Sequence, residues 1–327
     1  MEIEFHTTVS PDDWGRLVRE DPQATFFHTQ PWARLLAGTV RGMSACYVTG
    51  RVGGALVAGL PLMRIRRAPF AVLASMPYGT LGGPLLAREA PPDAAREITA
   101  AFARLARSPL VAAAHLSDFS GRITDAPPGF SAACEEAQIV RLNRDAAGIE
   151  AGYRPSVRNK IRKAEKASVV VRRARGERDF LEYARILAEC SVRWGARCDF
   201  GRPFFSELSR LDGDSVQMWL AEHEGTVIGG DLNFALHDMV VNWGNVSRDS
   251  ARALAPNNVL HATAIEEGRR AGLSIMNLGA SAGIEGVDAF KASFGAERVP
   301  FRRFALEKPW YRALRRRAVR RSGRDAA

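Results

Sequence analysis

The sequence predicts a fold of the α/β or α+β class built from two similar halves, and two matches within the chain support this. Gly54–Leu60 (GALVAGL) and Gly225–Asp231 (GTVIGGD) align at an offset of 171 residues, and each is predicted to be the second strand of a hairpin. The helix starts Gln30–Trp32 and Arg202–Phe204 align at an offset of 172, each with proline in its first turn. A repeat of this length that occurs twice is typical of a duplicated domain.

The elements downstream of these matches repeat in the same order. A helix over about residues 93–106 leads to a strand over 110–116, and a helix over 256–271 leads to a strand over 273–279. Each half is therefore expected to run helix, helix, antiparallel strands, helix, strand. We expect the last strand of the first half at 138–142, which divides the chain into domains 1–150 and 151–327.

The second half is predicted in more detail. Its strands are expected at 168–173, 215–222, 226–236, 239–246, 273–279 and 298–306, and its helices at 178–193, 203–211, 256–271, 287–293 and 309–321.

Composition restricts the class of protein. The chain has 327 residues, of which 46% are hydrophobic, enough for two ordinary cores. The four cysteines form no C-x-x-C pair and no His/Cys cluster has zinc-ligand spacing, so we expect reduced thiols and no metal. The first residues are acidic and no apolar run reaches the roughly 18 residues of a membrane span. A cytoplasmic protein fits these features.

The formal net charge is +10, and the basic residues are unevenly distributed. Ten lie between Arg154 and Arg178, against two glutamates, and a second run extends from Arg312 to Arg324. Such blocks suit a nucleic acid, a nucleotide-linked precursor or an anionic membrane surface, which allows peripheral attachment at the inner face of the membrane. The alternative is a solvated helix face.

The segment 273–296 (LSIMNLGASAGIEGVDAFKASFGA) is predicted to form a substrate slot. A strand opens into a Gly/Ser-rich loop, whose backbone N–H groups can approach an anion or oxyanion. A short helix follows with Phe290, Lys291 and Phe294, and this lysine stands apart from the charge runs. We expect Lys291 to be a fixed cation in a partly dry wall; the alternative is a lysine on an exposed helix face.

These features together resemble one protein family. The repeat, Arg158–Lys166 (RNKIRKAEK), Ala255–Leu260 (APNNVL) and the F-K-x-x-F-G element at 290–295 are similar to the FemAB-like and BioF2-like branch of the GNAT superfamily. The resemblance implies two tandem GNAT-like domains, each a mixed, mostly antiparallel sheet flanked by helices. It also implies an acyltransferase acting on an amine. In the FemAB branch the donor is an aminoacyl-tRNA and the acceptor a peptidoglycan precursor, whereas relatives in exopolysaccharide pathways use acyl-CoA.

Four residues carry the resemblance to the site. Phe290 and Lys291 match the F-K pair near the acyl-donor end, and Arg158 and Arg162 match the basic helix that faces an anionic, amine-bearing acceptor. The junction 247–258 has no glycine, although acetyl-CoA enzymes place a Gly-rich pyrophosphate loop there. This departure favours aminoacyl-tRNA over acyl-CoA as the donor. In either case the donor is a co-substrate, and no bound cofactor is expected.

Acyl transfer to an amine requires an uncharged nitrogen, close approach and a stabilised oxyanion. Neither a Ser-His-Asp nor a Cys-His pattern is visible, so we expect direct attack by the amine. Asp231 is the first candidate for the base, since burial in an apolar strand raises a carboxyl pKa; the alternative is a structural carboxylate. His261 is the second candidate, with a packed core histidine as the alternative.

Further candidate contacts surround these residues. Trp243 and Asn245 flank Gly244 on a strand and could line the pocket. Trp194 and Arg197 belong to a lid-like W-x-x-R-x-D turn over residues 194–199. The remaining candidates are Asn257, Asn258 and Ser281. Asn257 and Asn258 begin the helix 256–271, where at least one is expected to cap it. A different class of function also fits the charge, namely a non-catalytic module that binds RNA or an anionic membrane.

Overall fold

The computed structural model describes residues 1–194, 200–211 and 213–314. The chain forms two compact units: one consists of Met1–Glu135 and the segment from Phe301 onward, and the other is Glu136–Pro300. This grouping differs from the predicted division at 150/151, because residues 137–141 pair with a strand of the second unit.

The first unit is a mixed sheet with α-helices packed on it. Its elements are β1 (Glu2–His6), α1 (Pro11–Glu20), α2 (Gln30–Thr39), β2 (Met43–Val52), β3 (Ala55–Arg67), β4 (Phe70–Ser75), β5 (Leu85–Leu86), α3 (Ala94–Ala106) and β6 (Val111–Asp118). The strand order is β1-β2-β3-β4-β6, and β5 pairs with β3. Only β4 and β6 are parallel within this set.

The helices of the first unit form where local sequence and burial agree. Ser10 caps α1 by accepting a hydrogen bond from the backbone N–H of Asp13, and Pro11 fits the first turn. Ile98 and Phe102, four residues apart on α3, are completely buried against the sheet with Leu60.

The second unit repeats this arrangement. Its elements are β7 (Ser131–Arg141), α4 (Ala146–Ala151), α5 (Pro155–Lys166), β8 (Val170–Arg173), α6 (Gly176–Arg193), α7 (Arg202–Leu208), β9 (Val216–His223), β10 (Thr226–Leu236), β11 (Met239–Ser247), α8 (Pro256–Arg270), β12 (Ile275–Ala280) and α9 (Glu285–Ala292). The strand order is β8-β9-β10-β11-β12-β7, with β11 and β12 parallel. The core packs α8 against β11 and β12 through Ile265, Val240 and Met276.

The strand β13 (Glu297–Glu307) follows α9, and its residues 302–307 pair antiparallel with β6. The first unit therefore receives its last strand from a distant part of the sequence. In the same way β7, which follows β6 along the chain, pairs through residues 137–141 with β12 of the second unit.

The predicted fold class is confirmed, since each unit is a mixed, mostly antiparallel sheet flanked by helices. The predicted strand at 138–142 exists, but it belongs to the second unit and not to the first. The predicted helix 309–321 is described only as far as residue 314. No helix in the described parts of the chain has both the length and the apolar composition required to cross a bilayer.

Candidate active site

The second unit opens where its two parallel strands separate. β11 pairs with β12 at Met239, Val240 and Val241 only, yet β11 continues to Ser247 and β12 to Ala280. The helix α8 connects the two strands and begins at this end of the sheet. In sheets with parallel strands, ligands bind outside the carboxyl ends of neighbouring strands. A ligand site is therefore expected where the two strands separate.

A buried carboxylate lies on the strand next to this opening. Asp231, on β10, is completely buried. Its Oδ1 accepts hydrogen bonds from the side-chain amides of Asn233 (3.1 Å) and Asn242, and its Oδ2 accepts from Asn245 (2.9 Å) and His261 (3.1 Å). Four N–H donors pointing at one carboxyl group fit its ionised form, which only accepts. Its acceptor positions are thereby occupied.

His261 keeps a nitrogen that the protein does not use. An ionised Asp231 can only accept, so its contact with His261 assigns the ring proton to Nδ1, and in the neutral ring Nε2 then carries the lone pair. The side chain is 1% exposed, and its Nε2 is buried with no partner among the described residues. The ring packs against Phe290 and Phe294, with centroids 5.6 Å and 4.8 Å away. A buried acceptor without a partner is costly, so it marks a functional candidate.

Lys291 is buried as predicted, and the alternative of an exposed helix face is wrong. The residue is 9% exposed, and its Nζ donates to the backbone oxygens of Gly279 (3.0 Å) and Ala280 (2.9 Å) at the end of β12. Burial lowers its pKa from 10.5 to about 8, although the nearby Asp288 opposes this. An ammonium group has three N–H bonds, so one remains available to a ligand.

The F-K-x-x-F-G element contacts the start of the basic helix. Phe294 packs on the ring of Tyr153 (5.2 Å between centroids), and the backbone N–H of Arg154 donates to Ser293 O (2.8 Å). Gly295 is in the left-handed region (φ +75°), and a Cβ there would lie 2.9 Å from the oxygen of Gly152. Glycine is needed at this close approach. Two segments singled out in the sequence are thus in direct contact.

Comparison with known proteins agrees with this geometry. Residues 151–292 match the family described as acetyltransferase (GNAT) domain. This part of the chain is therefore similar to GNAT acetyltransferase domains. No curated protein sequence matches the chain.

Solved structures share the fold of the whole chain. FemX has a TM-score of 0.70 at 12% identity, covering 96% of this chain and 99% of that one. L-PGS from Bacillus licheniformis has a TM-score of 0.58 at 12% identity, covering 96% and 97%. A tandem GNAT protein from the clavulanic acid biosynthesis pathway has a TM-score of 0.54 at 14% identity, covering 94% and 98%. The resemblance to FemAB-like, tandem GNAT proteins is confirmed at the level of fold.

The two arginines that the family resemblance assigned to the site lie elsewhere in the second unit. Arg158 donates to the backbone oxygens of Glu150 and Tyr153, and Arg162 donates to Asn159. Both line a groove of about 500 Å³ between α4, α5 and α8. Asp231, His261 and Lys291 are not among the residues lining this groove, so the arginines are not brought together with them.

The aromatic candidates of the second unit differ in burial. Trp243 is half-buried and packs among Phe200, Phe204 and Phe234. Trp194 ends α6 with 57% of its surface exposed. Arg197 and Asp199, predicted to form a lid with it, lie outside the described residues.

The polar candidates at α8 and in the loop after β12 are better defined. The expected cap is wrong: Ala255, in the left-handed region (φ +54°), precedes α8, and no side chain caps it. Asn257 and Asn258 are therefore not capping residues; Asn258 is buried, and the buried Oδ1 of Asn257 has no partner among the described residues. Ser281 accepts a hydrogen bond from Gln138 at 3.4 Å.

Sequence reasoning missed Asn233 and Asn242, which hold Asp231. Residues two apart on a strand share a face, so Asn233 lies on the same face as Asp231, within the apolar strand GGDLNFAL. That spacing was the available indication. Asn242 could not be found this way, because a register shift between Leu232 and Asn233 sets its pairing.

Proposed function

We propose that this protein is an acyltransferase that moves an aminoacyl group from aminoacyl-tRNA to an amine of a cell-envelope, peptidoglycan-like precursor. One observation carries the proposal. At the separation of β11 and β12, a GNAT-family domain has a buried Asp231–His261 pair with a free Nε2, and a buried Lys291 bound to the end of β12. The neighbour FemX and the likeness to the FemAB branch support the choice of donor and acceptor.

The chemistry assigns a role to each group. The amine attacks the acyl carbonyl directly, and the oxygen of the tetrahedral intermediate becomes negative. The third N–H of Lys291 supplies a donor for this oxygen, since its other two are held by Gly279 and Ala280. His261 is the proton acceptor and Asp231 orients it. Phe290 packs against His261 and shields it from water.

The cations on α5 support a polyanionic donor. Lys160, Lys163 and Lys166 are exposed, and none of them makes an ion pair among the described residues. Unpaired cations along one helix suit a phosphate backbone. The junction between β11 and α8 also lacks glycine and contains a 3-10 helix, Asp249–Leu254, in place of a Gly-rich pyrophosphate loop.

One observation favours a second candidate, an acyl-CoA-dependent N-acyltransferase of exopolysaccharide or cofactor biosynthesis. The tandem GNAT protein with a TM-score of 0.54 is described with reference to AcCoA, and this favours a CoA thioester as the donor in the second candidate. The two candidates share the site and the reaction and differ only in the donor.

The experiment is a transfer assay with both donor classes. Purified protein is incubated with radiolabelled aminoacyl-tRNA pools or acyl-CoA thioesters, and with nucleotide-linked or lipid-linked amine acceptors. We expect label in an amide of the acceptor with aminoacyl-tRNA only. Transfer from thioesters alone would select the second candidate, and no transfer from either donor would reject both.

The donor is also tested by binding. A ligand at 100 times its Kd stabilises a protein by about 2.7 kcal/mol, so the true donor raises the melting temperature. Replacing the three α5 lysines by alanine should weaken tRNA binding and reduce its salt dependence without affecting turnover of CoA thioesters. The matched control replaces three exposed arginines of the first unit, Arg41, Arg88 and Arg104.

The Lys291→Ala variant distinguishes an acyltransferase from a non-catalytic binding module. Binding of RNA or anionic vesicles through α5 does not involve Lys291 and should survive the change. Turnover should fall sharply if Lys291 stabilises the oxyanion. Attachment at the inner face of the membrane stays a prediction, and vesicle flotation with and without anionic lipid tests it.

A further inference from the structure

Three buried acceptor atoms around Asp231 in the second unit have no partner among the described residues. They are Asn245 Oδ1, Asn257 Oδ1 and His261 Nε2. Buried polar atoms are nearly always hydrogen-bonded, and each one left alone costs stability. Three in one neighbourhood indicate a site whose ligand supplies the missing donors.

The three residues are connected through one carboxylate oxygen. Asn245 and His261 both donate to Asp231 Oδ2, at 2.9 Å and 3.1 Å. The side-chain amide of Asn245 also donates to the backbone oxygen of Asn257 at 3.2 Å, which fixes the orientation of that amide. Asn257 and His261 are four residues apart on α8 and so share a helix face.

The chemistry of this set selects its ligand. All three free atoms are acceptors, and the adjacent Asp231 is a buried carboxylate whose negative charge no arginine or lysine neutralises among the described residues. A carboxylate or phosphate would be repelled there. A hydroxyl group has one donor and would leave two acceptors unsatisfied. A primary ammonium group has three donors and a positive charge.

We propose that Asn245, Asn257 and His261 form the subsite that binds the reacting nitrogen of the acceptor as a primary ammonium group, and that His261 Nε2 removes its proton. This inference rests on the proposed function. It defines the acceptor as a primary amine and excludes a hydroxyl acceptor.

The proton and bond changes balance. The ammonium group gives one proton to His261 Nε2, and the resulting imidazolium is stabilised by Asp231. The neutral nitrogen forms a bond to the acyl carbon, and the bond from that carbon to the donor oxygen, or to sulfur in a thioester, breaks with its electron pair. The leaving oxygen or sulfur takes the second nitrogen proton, and His261 later releases its own to solvent. The half-buried Phe290 ring packs against His261, and we expect the amine to reach Nε2 by displacing this ring.

The first test is spectroscopic and needs no acyl donor. Histidine labelled at its ring nitrogens is incorporated into the full chain, and methylammonium chloride is the probe, with potassium chloride at equal ionic strength as the control. We expect His261 to carry its proton on Nδ1, and methylammonium to shift the Nε2 resonance. The Asn257→Ala variant should lose most of this response, while Asn143→Ala, the same change at an exposed position, should keep it.

The second test is kinetic. His261→Gln should lower kcat/KM by about 10²–10⁴-fold. Asn257→Ala should raise the KM for the amine about tenfold, the effect of about one lost hydrogen bond, with little change in kcat. His223→Gln and Asn143→Ala are the matched controls. The side chain of Asn257 makes no hydrogen bond in the described residues, so its loss should not unfold the protein.

The outcomes separate the two proposals. A proton found on Nε2, an equal methylammonium shift in Asn257→Ala, or an ordered water alone at the three acceptors would overturn the subsite. Full activity of His261→Gln would overturn it too, while leaving the proposed transfer reaction intact. A specific methylammonium response in a protein that transfers no acyl group would support the subsite and reject the reaction.

Discussion

The hairpins of the two units have the same strand pairing, but one buries an apolar side chain where the other buries a carboxylate. Val48 faces Leu60 on β2 and β3, and Trp219 faces Asp231 on β9 and β10, 171 residues later. The pairing agrees residue by residue through both hairpins, including a bulge that leaves out Val57 in one and Ile228 in the other. Duplication has thus preserved the register. A leucine in one copy and an aspartate in the other distinguish a packed apolar core from the proposed active site.

The parallel strand pairs of the two units also differ, in how far along the strands the pairing continues. In the first unit β4 stays paired with β6 up to its last residue, Ser75. The loop that follows folds back on this end: Gly83 N donates to Ser75 Oγ at 3.1 Å, and a Cβ on Gly82 would lie 2.2 Å from Ser75 O. In the second unit the corresponding strands separate after three pairs. The first copy is closed where the second is open.

Buried charge follows this division. In the first unit Asp21 is completely buried and is paired with Arg122 through two hydrogen bonds of 2.5 and 2.7 Å. Burial alone would raise the pKa of Asp21, but the hydrogen bonds from Arg122 and from the Leu86 and Gln23 N–H groups hold it below its usual value. The carboxylate of the second unit instead supports a histidine with a free nitrogen. The charge of Asp21 is neutralised by an arginine, whereas Asp231 is held by three asparagines and a histidine.

The largest expected effect comes from giving the first unit the residue of the second. Leu60→Asp places a carboxylate in a core with no donors prepared for it, which should cost about 3–5 kcal/mol and unfold or aggregate the protein. Urea denaturation measures the loss. No acyltransfer activity should appear in this unit, and Leu60→Asn is the control for polarity without charge. Stability within about 1 kcal/mol of wild type would show that the two interiors are interchangeable.

The next effect is on activity. Asp231→Asn keeps the shape of the side chain but removes the charge that fixes the His261 tautomer. The precedent of such a change in a His-Asp pair is a loss of about 10⁴-fold, and we expect roughly 10²–10⁴-fold in kcat/KM. The ring-nitrogen spectrum of His261 should change in parallel. Normal activity with a changed spectrum would remove Asp231 from its positioning role.

Lys291→Met should lower kcat by about 10²–10³-fold, the cost of one oxyanion donor.

The same lysine should make the stability of the protein depend on pH. The pKa of Lys291 is about 8 in the folded protein and 10.5 as an ordinary lysine. Between pH 8 and pH 10.5 the unfolded chain therefore binds more protons than the folded protein. Stability should therefore rise from pH 8 to 10.5 while activity falls as the ammonium is lost. Lys291→Met should abolish that rise, and an unchanged pH profile of denaturation would argue against a buried ammonium.

The smallest effect tests what the two units share. Gly59 and Gly230 occupy equivalent positions, and a Cβ on either would lie 2.7 Å from an aromatic ring, that of Trp14 or Tyr183. Gly59→Ala and Gly230→Ala should therefore each cost about 1–3 kcal/mol, with similar values in the two units. Thermal denaturation compares them. A cost confined to one copy would mean that helix packing has diverged along with the interior.

The sequence correctly predicted the elements that local sequence patterns specify. Strand β10 and helix α8 were placed within one or two residues, because alternation, glycine turns and a proline start specify them. The burial of Lys291 followed from its isolation between two phenylalanines. The convergence of Asn242, Asn245 and His261 on Asp231 depends on strand register and on the approach of α8, which local spacing does not encode. The same limit explains why 138–142 was assigned to the wrong half.

The strand β13 is synthesised long after β6, the strand with which it pairs, and this order affects folding during translation. Ser131 and Ala305 are joined by a hydrogen bond although 174 residues separate them. During translation the outer edge of β6 stays bare until residues 302–307 leave the ribosome, so a nascent chain holds an unsatisfied sheet edge for most of its synthesis. Genetic fusions or truncations that stop before this strand should therefore depend on chaperones, even when the whole second unit is present.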